Sequence, residues 1–197
     1  MGSDSVWGEG YSYGSVEAAP SQRAAVFCGD LSTQLPQDGR TKRAGYVNMK
    51  SITQRLAFGR KKFLPFEEYS AVILRIRGDG RRYFVNIHPD IFYDLNWFDL
   101  YQYPLYTRGG PYWQEVVIPY SKFVLTYKGH LQDTQGPFNT DEVLNLSVTL
   151  MDQISGPFYL EIESIGLKKL EGPIEAREDF AYEGYRMPHR LYLGSSL

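Results

Sequence analysis

The chain has 197 residues, of which 43 % are hydrophobic and 22 % are charged, so we expect one folded domain rather than a disordered segment. The formal net charge of −2 provides no basic excess, which argues against nucleic acid as a partner. The single cysteine excludes an intrachain disulfide and favours a reducing compartment.

Alternation of apolar and polar residues, bounded by turn residues, recurs along the chain and predicts short β-strands. The predicted strands are residues 11–17, 24–31, 45–52, 71–77, 83–88, 112–118, 144–150 and 158–163. No long helical pattern is present, and no apolar run approaches the roughly 20 residues that a membrane span requires. Eight to ten short strands with long loops predict an all-β sandwich of the jelly-roll kind.

The stretch RGDGRRY at residues 77–83 has three possible interpretations: a cell-adhesion signal, a phosphate-binding loop, or a turn between two strands. A phosphate loop requires a following helix, whereas a strand pattern follows here. Adhesion requires an extracellular context, which the cysteine count does not favour. The two glycines around an aspartate predict a β-hairpin turn, with arginines that are solvated or paired with nearby acids.

Residues 89–111 form the longest aromatic-rich segment, and we predict an irregular loop there. Its candidate partner-binding residues are Tyr93, Trp97, Phe98, Tyr101, Tyr103 and Tyr106. An exposed aromatic platform could anchor a protein or stack on a sugar, and the alternative is that these rings close one end of the sandwich. Downstream, we predict a short turn that packs Phe123, a polar loop over residues 126–140 and a helical turn at Asp141.

The chain is charged from Lys168 onward. We therefore predict a β-sandwich domain over residues 1–170 and a C-terminal extension over residues 171–197. The extension is either loose or a strap across the domain.

Few residues point to catalysis. His88, His130 and His189 lack the spacing of a metal site, and the lone Cys28 lies in an apolar run, where we predict a buried, inert thiol. Glu161 and Glu163 are expected on the same outward strand face, with their side chains about 6–7 Å apart, which is near the separation of the two carboxylates of a glycosidase. We prefer the interpretation that they form a solvated strand face. The glycosylation sequon at residues 145–147 lies inside a strand pattern, and we interpret it as chance.

Six segments, taken in order, resemble one family: SDSVWGEGYS, VFCGDLSTQLPQDG, AGYVNMKS, YSAVILRIRGDGRRYFVNI, YWQEVVIPYSKF and GPFYLEIESIGL. From about Asp4 to Leu167, the chain resembles the complex I intermediate-associated protein 30 family of mitochondrial assembly factors. The resemblance implies a galactose-binding-like jelly roll, akin to some carbohydrate-binding modules, and a non-enzymatic role without a cofactor.

The resemblance also implies a place and partners. Members act at the matrix side of the mitochondrial inner membrane, as peripheral proteins without a transmembrane span. The implied partners are membrane-arm subunits of complex I, an acyl-CoA-dehydrogenase-like assembly factor and an adaptor that is also linked to Toll signalling. Two other functions stay open: a carbohydrate-binding module, and an enzyme, for which no nucleophile–base pair is visible.

Overall fold

Two antiparallel β-sheets, stacked face to face, account for nearly all regular structure. The computed structural model describes residues 1–21, 23–90, 99–127 and 129–171. Its strands are β1 (Gly2–Ser3), β2 (Tyr13–Ala18), β3 (Ala25–Leu31), β4 (Val47–Lys50), β5 (Ala71–Gly78), β6 (Arg82–Pro89), β7 (Asp99–Tyr106), β8 (Gln114–Pro119), β9 (Val124–Tyr127), β10 (His130–Leu131), β11 (Val143–Leu150) and β12 (Gly156–Lys168).

The seven-stranded sheet has the order β1-β4-β11-β6-β7-β9-β10, and the five-stranded sheet has the order β2-β3-β12-β5-β8. Since side chains alternate between the faces of a strand, one face of each sheet can be apolar and cover the other. The fully buried core residues include Phe27, Leu74 and Leu160 from the smaller sheet and Tyr83 and Ile87 from the larger one. Each such side chain stabilises the fold by roughly 1.5–3 kcal/mol.

The predicted hairpin around the Gly-Asp-Gly sequence is wrong in one respect. The chain does reverse direction there, but β5 and β6 do not pair, because β5 lies between β12 and β8 while β6 lies between β11 and β7. The turn therefore carries the chain from one sheet to the other across the core. Asp79 stabilises it by accepting hydrogen bonds from the Tyr83 hydroxyl (3.0 Å) and the Tyr159 amide (2.8 Å).

Arg81, in the same turn, is paired as predicted. Its Nε and Nη2 atoms donate to the two oxygens of Asp152 at 2.9 and 2.7 Å. Its Nη1 atom donates to the carbonyls of Gly156 (3.0 Å) and Pro157 (3.1 Å), and Nη2 also reaches the Ile154 carbonyl. Because Arg77 and Asp79, the two charged residues of the RGD tripeptide, are both hydrogen-bonded within the fold, the tripeptide is part of a structural turn.

Strand β7 lies within the irregular loop predicted over residues 89–111, and the end of β9 and all of β10 lie within the polar loop predicted over residues 126–140, so both loop predictions are wrong at these strands. Aromatic residues and a proline obscured the alternation of β7. Beyond residue 102, β7 pairs with β6 alone, so Pro104, opposite Phe84, lies on an edge of the sheet, where proline is tolerated. The predicted turn at Tyr120–Lys122, the packing of Phe123 and the turn at Thr140–Glu142 are confirmed.

The N-terminal segment is held by a buried carboxylate. Asp4 is fully buried and accepts hydrogen bonds from the Ser12 amide (2.8 Å), the Ser12 hydroxyl (3.0 Å) and the Gly45 amide (2.6 Å). Gly10 lies so close that a Cβ atom there would be 2.2 Å from Asp4 Oδ2. Close packing against Asp4 therefore requires a glycine at position 10.

Within the described residues, no helix is both long and apolar enough to cross a bilayer. The predicted division at residue 170 stays a prediction, because residues 172–197 lie outside the described part of the chain.

Candidate functional site

Of the six aromatic residues predicted to bind a partner, three lie in the described part of the chain, and these three do not form one exposed platform. Tyr93, Trp97 and Phe98 fall in residues 91–98, outside the described residues. Tyr101 and Tyr103 point towards the core, where their rings lie 5.2 Å from that of Phe138 and 5.9 Å from that of Phe123, respectively. Tyr106 ends β7 and is 37 % exposed. The partner-binding role of these residues stays a prediction.

The outer face of the five-stranded sheet carries a second cluster of aromatic and charged residues. We name it the Trp113 face, and it consists of Arg75, Arg77, Trp113, Tyr159, Glu161 and Glu163. Apart from Arg75, its residues line a shallow groove of about 470 Å³, whose other wall is formed by Ala19, Pro20, Ser21 and Arg23 from the connection between β2 and β3. Strands β5 and β12 lie side by side here, so that Arg77 stands opposite Glu161.

Glu161 is the most buried member of the Trp113 face, with 4 % of its surface exposed. Its Oε2 atom accepts hydrogen bonds from Arg77 Nη2 (2.6 Å) and Nε (3.0 Å), and the Tyr159 hydroxyl donates to Oε1. The hydrogen bonds from Arg77 lower the pKa of Glu161. The bond to Glu161 raises the pKa of Tyr159. Glu161 does face outward, as predicted, but it is buried by its partners rather than solvated.

The Trp113 ring is covered by cations. The guanidinium carbon of Arg77 lies 5.1 Å from the ring centroid, and that of Arg75 lies 5.9 Å away. Arg75 also forms an ion pair with Glu163. Glu161 and Glu163 are each paired with an arginine, so both carboxylates are already engaged in ion pairs. The arrangement thus fits binding better than acid–base chemistry.

The outer face of the seven-stranded sheet carries a row of buried polar side chains. Asn86 Nδ2 donates to Ser147 Oγ (2.9 Å) and Thr149 Oγ1 (2.8 Å), and Gln102 Nε2 donates to Asn86 Oδ1 (2.9 Å). Thr149 in turn donates to Asn48 Oδ1 at 3.0 Å. Because these groups satisfy one another across four strands, they have a clear structural role.

His88 extends this polar row. Its Nε2 atom lies 2.8 Å from Ser147 Oγ. Burial, with a smaller contribution from the charge of Lys50, lowers the pKa of His88 to about 3. The imidazole is therefore neutral at physiological pH. In the described part of the chain, no group of three or more His, Cys, Asp or Glu residues is placed to hold a metal ion.

Two other residues singled out from the sequence have structural environments. Asn145 of the sequon is 1 % exposed and donates to the Ser51 carbonyl at 3.0 Å, so its amide is not accessible to glycosylation. Cys28 was predicted to be buried, and this is wrong. The thiol is half-buried because alternation along β3 turns Phe27 towards the core and Cys28 outward, 3.6 Å from Ser15 Oγ.

The Trp113 face was not found from the sequence, although part of its signal is there. Arg75 and Arg77 alternate with buried Leu74 and Ile76, so their outward direction is readable. Their pairing with the acids of β12 is not readable, because it depends on the register between two strands separated by more than 70 residues.

Comparison with known proteins gives a consistent family match. A family model described as complex I intermediate-associated protein 30 matches residues 1–162. A Caenorhabditis elegans protein named as a probable mitochondrial member is 43 % identical over 189 residues, which cover 95 % of this chain and 54 % of that protein. The Drosophila melanogaster protein is 41 % identical, with 94 % of this chain and 62 % of that protein covered. The mouse protein is 41 % identical, with 85 % of this chain and 50 % of that protein covered. The chain thus spans about half the length of these relatives.

Similar solved structures come from carbohydrate-binding modules. A family 11 module from Clostridium thermocellum, in complex with a mixed-linked tetrasaccharide, superposes with a TM-score of 0.53 at 12 % identity, covering 81 % of this chain and 83 % of that one. The family 11 module of the cellulase Lic26A-Cel5E superposes with a TM-score of 0.55 at 14 % identity, covering 81 % of this chain and 82 % of that one. At this identity the likeness shows the fold alone, and it confirms the predicted jelly-roll β-sandwich.

Proposed function

The chain belongs to the complex I intermediate-associated protein 30 family, and from this membership we propose that it is a non-enzymatic assembly factor for mitochondrial respiratory complex I. The observation that carries the proposal is the family match over residues 1–162. It is supported by relatives above 40 % identity whose names include both the complex and the mitochondrion.

The proposed mechanism is that of a scaffold. The sandwich holds a partly built membrane-arm intermediate, or the assembly factors that accompany it, and leaves when assembly proceeds. The partners proposed from the family resemblance are membrane-arm subunits, an acyl-CoA-dehydrogenase-like factor and a Toll-linked adaptor. The proposed location is the matrix side of the inner membrane, as a peripheral protein.

The Trp113 face is the described surface whose chemistry best supports protein binding. Tryptophan, tyrosine and arginine are the side chains that dominate binding energy at protein interfaces. Here Tyr159 lies on β12, Trp113 lies immediately before β8 against Arg77, and Arg77 is held by Glu161 before any partner arrives. A preorganised cluster loses less conformational entropy on binding.

A second proposed contact rests on the aromatic sequence alone and consists of Tyr93, Trp97 and Phe98. Tyr101 is less suitable for a test, since it packs against the core and its removal would destabilise the fold. Trp97→Ala is therefore the variant to compare with changes on the Trp113 face.

The test is affinity purification of the tagged chain from mitochondria, followed by native-gel separation and mass spectrometry. We expect the chain to migrate with membrane-arm subunits of complex I. Trp113→Ala should reduce this association about tenfold, as the loss of an interface hot spot does. Tyr112→Ala is the matched control, because Tyr112 is the neighbouring residue and is 82 % exposed. Thermal unfolding must show that all variants are folded.

A chain that runs alone, or with unrelated proteins, would contradict the assembly role. Glucan binding in affinity electrophoresis would then identify the alternative, a carbohydrate-binding module.

A further inference from the structure

Residues 54–63, which we name the basic finger, project from the sandwich between β4 and β5. All ten residues are exposed. The finger is closed by hydrogen bonds from the Leu56 amide to the Arg60 carbonyl (2.7 Å) and from the Lys62 amide to the Gln54 carbonyl (2.9 Å). Its base is fixed by an ion pair of 2.7 Å between Lys61 and Asp90. The finger is thus a defined structure rather than a loose loop.

The tip of the finger exposes a large aromatic ring. Phe58 is 101 % exposed, and its φ of 60° places it in the left-handed region that disfavours a phenylalanine. Leu56, on the same tip, is 48 % exposed. Neither burial nor backbone preference explains a phenylalanine at this position. A strained, exposed residue of this kind points to a function outside the fold.

Four cations lie within the same ten residues as this ring, and one of them, Lys61, is paired with Asp90. Arg55, Arg60, Lys61 and Lys62 lie within the finger, which contains no acidic residue, although the whole chain has a net charge of −2. Arg55 is directed along the tip, since its Nη1 atom donates to the Gly59 carbonyl at 3.1 Å. The positive charge is therefore a local feature of the surface that carries Phe58.

We propose that the basic finger binds the surface of an anionic phospholipid bilayer, with Phe58 inserted among the headgroups and the basic residues against lipid phosphates. Aromatic side chains favour the interfacial layer of a bilayer, and clustered basic residues are attracted to anionic lipids. A fluid lipid surface can close around a projecting aromatic ring without a preformed complementary pocket.

This site would supply a contact for the peripheral membrane location proposed above, but its test requires no complex I. The full chain is sedimented with vesicles of phosphatidylcholine, with or without about one third phosphatidylglycerol. We expect binding to the anionic vesicles only, and weaker binding when salt is raised from about 0.05 to about 0.5 M.

Two finger variants divide the interaction into its parts. Phe58→Asn removes the ring and introduces a residue that tolerates the left-handed backbone, and it should weaken vesicle binding about tenfold. Arg60→Gln with Lys62→Gln should weaken it by about fivefold for each charge, or about 25-fold together. The matched controls are Tyr112→Asn, for an exposed aromatic ring elsewhere, and a paired Arg40→Gln and Lys42→Gln change, for two exposed cations outside the finger.

A Phe58→Trp variant reports the position of the tip directly. Its added fluorescence should shift to the blue on anionic vesicles and should be quenched by brominated lipid. Absence of this shift, unchanged vesicle binding by the finger variants, or equal losses in the control variants would overturn the proposal. Unchanged vesicle binding with lost complex I co-migration would overturn it too, and would assign the finger to a protein partner. Vesicle binding without any complex I association would instead support lipid binding by the finger and contradict the assembly role.

Discussion

Replacing Arg81 by methionine should destabilise the sandwich, because this largely buried cation is paired with a buried carboxylate. The side chains of Arg81 and Asp152 are only 11 % and 3 % exposed, and two short hydrogen bonds join them. Arg81→Met retains much of the apolar stem but leaves the Asp152 carboxylate buried without its partner. Breaking a buried ion pair in this way costs about 3–5 kcal/mol, and we expect about 3 kcal/mol because some solvent reaches Arg81.

Urea unfolding followed by fluorescence measures this loss. With a slope of roughly 2 kcal/mol per molar urea, a loss of 3 kcal/mol lowers the midpoint by about 1.5 M. The matched control is Arg82→Met, one residue away. Arg82 is exposed and lies 5.6 Å above the Phe84 ring, so its loss should cost no more than about 0.5–1 kcal/mol.

A double variant separates the unpaired charge from lost packing. Arg81→Met combined with Asp152→Leu leaves no buried carboxylate without a partner, so it should be more stable than Arg81→Met alone. Equal losses in Arg81→Met and Arg82→Met would refute the argument, as would a double variant that is no more stable than the single one.

Two further changes test the polar interior and the N-terminal packing. Because the pKa of His88 is about 3 in the fold and near 6.5 in the unfolded chain, the unfolded chain takes up this proton first as the pH falls below 6.5. Stability should fall by up to about 1.4 kcal/mol per pH unit between pH 6.5 and 3, and His88→Gln should reduce this dependence in urea midpoints taken from pH 7 to pH 5; parallel pH curves would contradict it. Gly10→Ala, which places a Cβ atom 2.2 Å from Asp4 Oδ2, should cost about 1–3 kcal/mol, whereas Gly2→Ala, with no atom within 4 Å, should be nearly neutral in thermal unfolding. Equal effects of the two alanines would show that the Gly10 contact relaxes without cost.

Strand positions were predictable where one strand face is apolar and the other polar. Residues 71–77 and 158–163 both fall within observed strands, because Leu74, Ile76 and Leu160 alternate with outward charges. Strand β7 was not predicted, because the residues that alternate along it are mostly tyrosines and Pro104 interrupts them. This pattern is also typical of a binding loop. Strand β11 has buried residues on both faces, and its Asn145, Ser147 and Thr149 show that polar residues do not always mark a solvated face.

The sequence by itself determined the all-β class, the position of most strands, the turn around Asp79 and the family resemblance. These features depend on neighbouring residues or on ordered motifs, which are readable along a single chain. Only the tertiary structure decided that β5 and β6 lie in different sheets and that Arg77 meets Glu161. Each of these depends on which distant strands pair and in which register, and alternation within one strand carries no information about its partner.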